Sequence, residues 1–268
     1  MIRFQSQRRG IIKPPGGQLA ARNTQCYHGD GVGDHFAGTY TALGAASSSY
    51  SITFWAASDV NTYYGVGSEF DNAGNYPWDI EWNTSQLVFW IKNLSGEFSH
   101  STTWGELVAA TWYHFTCIRD GGDTKLHVYI NGTQSGTGTA FTDGDCTTGA
   151  SGAKLAWGIR YPGYGNPFDG RLKDCRTFNV ALNTTNITLI KNKLYIGLRP
   201  SEISGWDLSN APDTSELTCH NQESPWSNDT VNTAGQIKNT GNLGSANDAT
   251  GANLAGTTTS GVDTAGPA

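Results

Sequence analysis

The sequence predicts an all-β chain, and three observations carry that expectation. Glycine makes up 34 of 268 residues, and nine Trp and eleven Tyr accompany few Leu and Lys. Aromatic side chains suit a pleated, half-buried surface, and glycine supplies the turns between short strands. Residues 77–92 (PWDIEWNTSQLVFWIK) and 111–132 (TWYHFTCIRDGGDTKLHVYING) alternate with a period of two about central turns, the signature of hairpins. Helical spacing is confined to residues 183–194, where Ile187, Leu189, Ile190 and Leu194 predict one short amphipathic helix.

Taken in order, residues 1–25 hold Arg3, Arg8, Arg9, Lys13 and Arg22 with no acid, a charge of +5. Lys13-Pro14-Pro15-Gly16-Gly17 is a stiff-then-flexible break, so residues 1–29 read as a basic arm. Such an arm either anchors on an acidic partner or is a solvated terminus. Its only apolar pair after the arginines is Ile11-Ile12, which is no secretory leader. No run approaches the roughly 18 apolar residues of a membrane span.

Residues 30–57 give two strands with Tyr50, Ile52 and Phe54 inward, 62–68 a further strand, and 70–77 a loop. In 77–92, a turn at Thr84-Ser85 sets Asn83 opposite Gln86. Trp78, Ile80 and Trp82 then share a core face with Leu87, Phe89 and Ile91, while Asp79 and Glu81 lie on the other face opposite Trp90 and Val88. Residues 93–110 read as a loop containing Trp104. In 111–132, a turn over 120–123 sets Arg119 opposite Thr124. Tyr113, Phe115 and Cys117 face the core with Leu126, Val128 and Ile130. Trp112, His114, Thr116 and Ile118 share a half-exposed face with Lys125, His127 and Tyr129. Residues 136–152 read as a surface excursion, 154–160 as a strand, 161–166 (YPGYGN) as an aromatic loop, and 168–182 as a closing strand.

From residue 201 the composition turns to Gly, Thr, Asn, Asp and Ser, with eight acids against Lys238 alone, a charge of −7. That is the profile of a linker or tail. The whole chain carries −6, which disfavours general nucleic-acid binding. Five cysteines without a C-x-x-C argue against a disulfide framework and a structural zinc. Cys26, Cys146 and Cys219 are expected in loops.

Three blocks resemble laminin-G-like, concanavalin A-like lectin domains. Trp112-x-His114, the Arg119-Asp120-Gly121 turn and Tyr129-x-Asn131-Gly132 resemble the central hairpin of that family. Residues 168–182 (FDGRLKDCRTFNVAL) resemble its last strand, usually F-x-G-x-I-D-D-V-R-I-Y-N-x-A-L. Residues 34–57 resemble its opening D-D-Y-V … F-T-I-S-F-W strands. The resemblance implies a two-sheet antiparallel β-sandwich, a concanavalin A-like jelly roll, over residues 30–197. It implies that Cys117 and Cys175, where the family usually has Val, are small buried hydrophobes, and that His114 is a structural, hydrogen-bonded histidine. Gly205-Trp206-Asp207-Leu208 and residues 239–250 resemble the segment that normally opens such a domain and that is missing ahead of Asp34. The extension 198–268 is therefore expected to pack on the sandwich, in cis or on a neighbour, with Trp206 at least half buried. The run from Lys13 to Leu19 resembles an R/K-P-P-G-x-Q-L element of bacteriophage and related viral structural proteins.

These features nominate a site. A carboxylate beside an outward indole is the chemistry of sugar recognition, the ring covering a pyranose face while the oxygens accept its hydroxyl protons. Asp79, Glu81 and Trp90 are the candidates, with Tyr161 and Tyr164 rimming the site. The bland alternative is that the carboxylates keep one sheet face wet or pair with Lys92 or Arg119. Glycoside hydrolases of the same fold carry E-x-D-x-E, but Pro77 stands at the nucleophile's position, so no catalytic residue is expected. Asp143 and Asp145 suggest a calcium loop, yet the twelfth position is Lys154 and the EF-hand pattern fails. Calcium stays open with no assigned ligands, and no other cofactor is expected. The expected role is a non-enzymatic surface or decoration protein of a virion, capsid or tail, with a glycan-binding sandwich. Its arm (Arg3, Arg8, Arg9, Lys13) would meet other virion proteins in a homo-oligomeric assembly, without contacting nucleic acid or membrane. The alternatives are a bacterial carbohydrate-binding module or lectin, and a degenerate glycosidase.

Overall fold

The computed structural model describes residues 26–39, 43, 49–70, 76–144, 154–160, 165–192 and 199–220, together with 236–237, 249–252 and 261–263. The arm, with Arg3, Arg8, Arg9 and Lys13, and the loop residues Tyr161 and Tyr164 lie outside the described residues.

The strands are β1 (Cys26–Asp30), β2 (His35–Thr39), β3 (Tyr50–Ser58), β4 (Tyr63–Phe70), β5 (Trp78–Asn83), β6 (Gln86–Asn93), β7 (Gly96–Ser101), β8 (Tyr113–Asp120), β9 (Lys125–Ile130), β10 (Thr133–Ala140), β11 (Lys154–Trp157) and β12 (Asp169–Phe178). Helix α1 (Thr184–Asn192) follows, then short strands β13 (Glu216–His220), β14 (Gln236–Ile237), β15 (Ala249–Ala252) and β16 (Gly261–Asp263). They form two antiparallel sheets. The first runs β10-β9-β8-β3-β12-β1-β16 with β13 also on β12, and the second β14-β15-β2-β11-β4-β5-β6-β7. Among the described residues no helix is long and apolar enough to cross a membrane.

Between the sheets lies an aromatic core. Trp78, Ile80, Trp82, Leu87, Phe89 and Ile91 are fully buried, with Asn83 opposite Gln86, as the alternation of 77–92 requires. Trp157 sits 5.4 Å from Trp78 and 5.6 Å from Phe54, and Trp82 meets Phe115 edge-on at 6.0 Å. Offset and edge arrangements of this kind follow the ring quadrupoles.

Several expectations are corrected. The β8–β9 register pairs Arg119 with Leu126, not Thr124; the slip is two residues, so every side chain keeps its face. Cys26 is a buried strand residue, not a loop residue. Residues 96–101 form β7 and 133–140 form β10, where a loop and a surface excursion were expected. Short Gly-, Ser- and Thr-rich edge strands carry too weak an apolar alternation to show in sequence. The first strand is not missing: β1 begins four residues ahead of position 30 and pairs with Asp169–Leu172 of β12. The tail continues that edge, β13 pairing with Cys175–Phe178 beyond a bulge at Asp174, whose φ is 52°. β16 adds outside β1, and β15 outside β2.

The face of β8 expected to be half exposed is covered instead. Ile118, Phe178, Leu182, Ile187, Ile190, Ile203, Trp206 and Ala211 make a second apolar cluster under α1 and the segment after it. Asn183 caps α1, its Oδ1 accepting from the Asn186 amide at 2.9 Å. Asn186 in turn binds the tail: its Oδ1 accepts from the Asp207 amide and its Nδ2 donates to the Asp207 carbonyl. Trp206, 9% exposed, stacks on Phe178 and donates its indole N–H to the Ala211 carbonyl at 2.7 Å. Beneath them Arg176 is fully enclosed, its guanidinium 2.8 Å from both Asp174 and Glu216. His114 on this face is buried, and among the described residues neither ring nitrogen has a hydrogen-bond partner, in place of the hydrogen-bonded histidine expected. Burial, with Arg176 and Lys191 nearby, pushes its pKa down to about 3, and the ring stays neutral.

Candidate functional site

Asp79, Glu81 and Trp90 are brought together on the outer face of the second sheet. Asp79 pairs directly with Trp90 across β5–β6, and Glu81 with Val88, because residues two apart on a strand share a face. Tyr63, at the start of β4, joins them from the other side: its hydroxyl donates to Glu81 Oε1 at 2.6 Å. Trp90 donates its indole N–H to Glu81 Oε2 at 3.0 Å.

The partner of both carboxylates is Arg160, 81 residues beyond Asp79, and neither Lys92 nor Arg119. Its Nε lies 2.5 Å from Asp79 Oδ2, and a terminal nitrogen lies 2.6 Å from Glu81 Oε1 and 2.7 Å from the Tyr63 hydroxyl. Gly65 makes this possible. A Cβ there would come within 2.0 Å of the Arg160 amide nitrogen, so only glycine lets the segment after β11 cross the sheet so closely. That segment is fixed by the Gly65 amide donating to the Asn166 carbonyl and by the Gly65–Pro167 bridge. The sequence signal was there in Gly65-Val66-Gly67, but nothing local says what passes over it.

The crossing buries the acids. Asp79 is 1% and Glu81 3% exposed, whereas Trp90 and Tyr63 are half-buried and the Arg160 side chain is 23% exposed. Burial pushes the Asp79 pKa up to about 7, against the opposing pull of Arg160. Among the described residues its Oδ1 has no hydrogen-bond partner, and desolvation outweighs the ion pair. A ligand on this face would therefore meet Trp90, Tyr63 and Arg160. Asp79 and Glu81, expected as direct contacts, hold those groups from beneath.

The residues named for calcium fit it poorly. Asp143 accepts from the buried Arg119 at 2.8 Å, which spends a carboxylate oxygen on a cation already present, and Asp145 lies outside the described residues. Asp120, Asp123 and His127 do converge at the β8–β9 turn. There Asp120 accepts from the Gly122 amide, and Asp123 from the Lys125 amide and His127, so turn formation already accounts for them.

Two antiparallel sheets packed over an aromatic core, with an indole, a phenol and a guanidinium on one outer face, define a lectin-type β-sandwich. Residues 30–188 match the family model described as the concanavalin A-like lectin/glucanases superfamily, more than half of the chain, and the protein belongs to that family. No curated relative matches the chain. Among solved structures it is similar to a putative carbohydrate-binding protein from Bacteroides ovatus, at 16% identity and TM-score 0.57, over 86% of this chain and 58% of that one. It is also similar to a heptameric SAP-like pentraxin from Limulus polyphemus, at 15% identity and TM-score 0.52, over 65% of this chain and 84% of that one. The chain thus spans under two thirds of the Bacteroides protein, and at these identities the likeness is one of fold.

Proposed function

We propose that this is a non-enzymatic glycan-binding protein whose sandwich is displayed on a virion by its basic arm. One observation carries the binding reading: Trp90 is tied by its indole N–H to a buried carboxylate, beside Tyr63 and a clamped Arg160. Fixing an aromatic ring and its polar neighbours before the ligand arrives lowers the ordering cost of binding. Both carboxylates are committed to Arg160, which leaves neither placed as a nucleophile, in keeping with Pro77 at that position. Trp90→Ala is expected to lower binding on a glycan array at least tenfold while the circular dichroism spectrum stays that of the folded sandwich. The melting temperature should drop by a few degrees, because the buried Glu81 loses a donor. Undiminished binding removes this face from consideration.

The virion assignment rests on the +5 arm and its resemblance to viral structural proteins. A basic arm finds an acidic partner surface by long-range attraction. Deleting residues 1–25 is expected to leave the sandwich folded and to abolish incorporation into particles. Incorporation at normal copy number would make the arm an ordinary terminus.

A further inference from the structure

A second cleft, walled by both polar and apolar groups and built on other elements than the Trp90 face, lies where the segment before β8 meets the β9–β10 hairpin. It measures about 180 Å³ and is lined by Glu106, Ile130, Thr133, Gln134 and Ser135. We propose that it is a saccharide subsite for a single neutral sugar ring, independent of the Trp90 site.

The cleft is built rather than incidental. The Glu106 side chain is fixed through Oε2, which accepts from Ser135 Oγ at 2.7 Å and from the Thr103 amide at 2.9 Å. No hydrogen bond to Oε1 is made within the described residues, which leaves that oxygen for a ligand hydroxyl. Gln134 lines the cleft with its backbone, since it alternates with Thr133 and Ser135. Its side chain lies on the other face of the hairpin, Oε1 accepting from the Tyr129 hydroxyl and Nε2 meeting His127 Nδ1, which fixes the strand in place. Ile130 supplies apolar floor and Thr133 an exposed hydroxyl. Beside the cleft, Thr103–Glu106 is a turn closed by the Glu106 amide on the Thr103 carbonyl. Gly105 takes φ +89° there, as the third residue of a type II turn does, and Trp104 occupies the corner. Trp104 is 66% exposed, and Val108 on the same loop is 56% exposed.

The chemistry selects the ligand class. A carboxylate oxygen, a hydroxyl and an indole are the groups that read a sugar's hydroxyls and its apolar face. The volume is well below the roughly 300–1,000 Å³ that encloses drug-sized ligands, so one ring fits and an oligosaccharide does not. Among the described residues Glu106 is the only charged group lining the cleft, so uronates, sialates and sulfated sugars are repelled. The Trp90 face and this cleft stand on different elements, β4–β6 with Arg160 against residues 103–106 with β9–β10, so two separated sugars of one branched or extended glycan would bind with avidity.

The test uses the full chain and methyl glycosides of glucose, galactose, mannose and N-acetylglucosamine at millimolar concentration, followed by ¹H–¹⁵N spectra. At least one is expected to shift the Trp104 indole and the Gln134 and Ser135 amide resonances in Trp90→Ala protein. Trp104→Ala, at an exposed position, is expected to weaken that binding at least fivefold without changing the melting temperature, and Glu106→Gln to weaken it as well. Methyl glucuronide is expected to produce no such shifts. The inference is overturned if no glycoside perturbs these resonances, if Trp104→Ala binds as wild type does, or if the glucuronide binds as well as the neutral sugars. Loss of all binding in Trp90→Ala alone also overturns it. A silent Trp90 face with an active cleft would instead refute only the first site.

Discussion

Truncation after Leu198 is expected to cost most of the protein's stability and to turn it aggregation-prone. It removes β13 and bares the backbone of Cys175–Phe178 on β12, and an unpaired edge recruits other strands. It also strips Trp206 from Phe178 and Glu216 from the enclosed Arg176. Single substitutions separate these contributions. Trp206→Ala removes a buried indole and is expected to cost about 3–5 kcal/mol. Glu216→Gln leaves Arg176 with Asp174 as its remaining acidic partner at this site, and breaking a buried pair costs about 3–5 kcal/mol. At roughly 2–4 °C per kcal/mol for a domain of this size, each variant should melt about 10 °C lower. A melting temperature unchanged by the truncation would show that the tail only rests on the sheet.

Stability is expected to fall as pH rises from about 5 to 9, and Glu69 is the main cause. Its side chain is fully buried and accepts from the Leu43 amide at 2.9 Å and the Trp78 indole at 3.1 Å. Burial outweighs those two donors and pushes its pKa up to about 8. A carboxyl with a raised folded pKa binds its proton more tightly folded than unfolded. Its stabilising contribution is therefore complete below the unfolded value of 4.5 and is lost as pH climbs through about 8. Asp79, with its pKa near 7, adds a loss of the same sign at slightly lower pH. At about 1.4 kcal/mol per pH unit of displacement, the change amounts to several kcal/mol. Urea midpoints at pH 5, 7 and 9 should decline for the wild type and decline much less for Glu69→Gln. Parallel curves for the two proteins would mean that Glu69 does not titrate in this range.

What could be read in the chain was whatever depends on parity. In 77–92 the alternation put Trp90 opposite Asp79, because a strand's side chains change face at every residue whatever surrounds it. In 111–132 the register was misread by two residues, since the turn is closed by Thr124 at φ 58° rather than ending at Asp123. The inward set Phe115, Cys117, Leu126 and Val128 was still right, because an even slip preserves parity. The tail meets the sandwich through Trp206, stacked on Phe178; the expectation of contact rested on the resemblance of Gly205–Leu208 to a family segment and on nothing in the local pattern.

What only the tertiary structure decided was which groups meet across long sequence separations. Nothing near Asp79 names Arg160, and the pairing exists because Gly65 leaves room for a backbone to cross a strand. That crossing turned the expected sugar contacts into enclosed supports and raised the Asp79 pKa. Likewise the face carrying His114, Thr116 and Ile118 mixes polar and apolar groups, a pattern that by itself fits a wet surface. Helix α1 and Trp206 buried it. Alternation along a strand fixes the side a residue is on; whether that side meets water depends on elements that fold onto it from elsewhere in the chain.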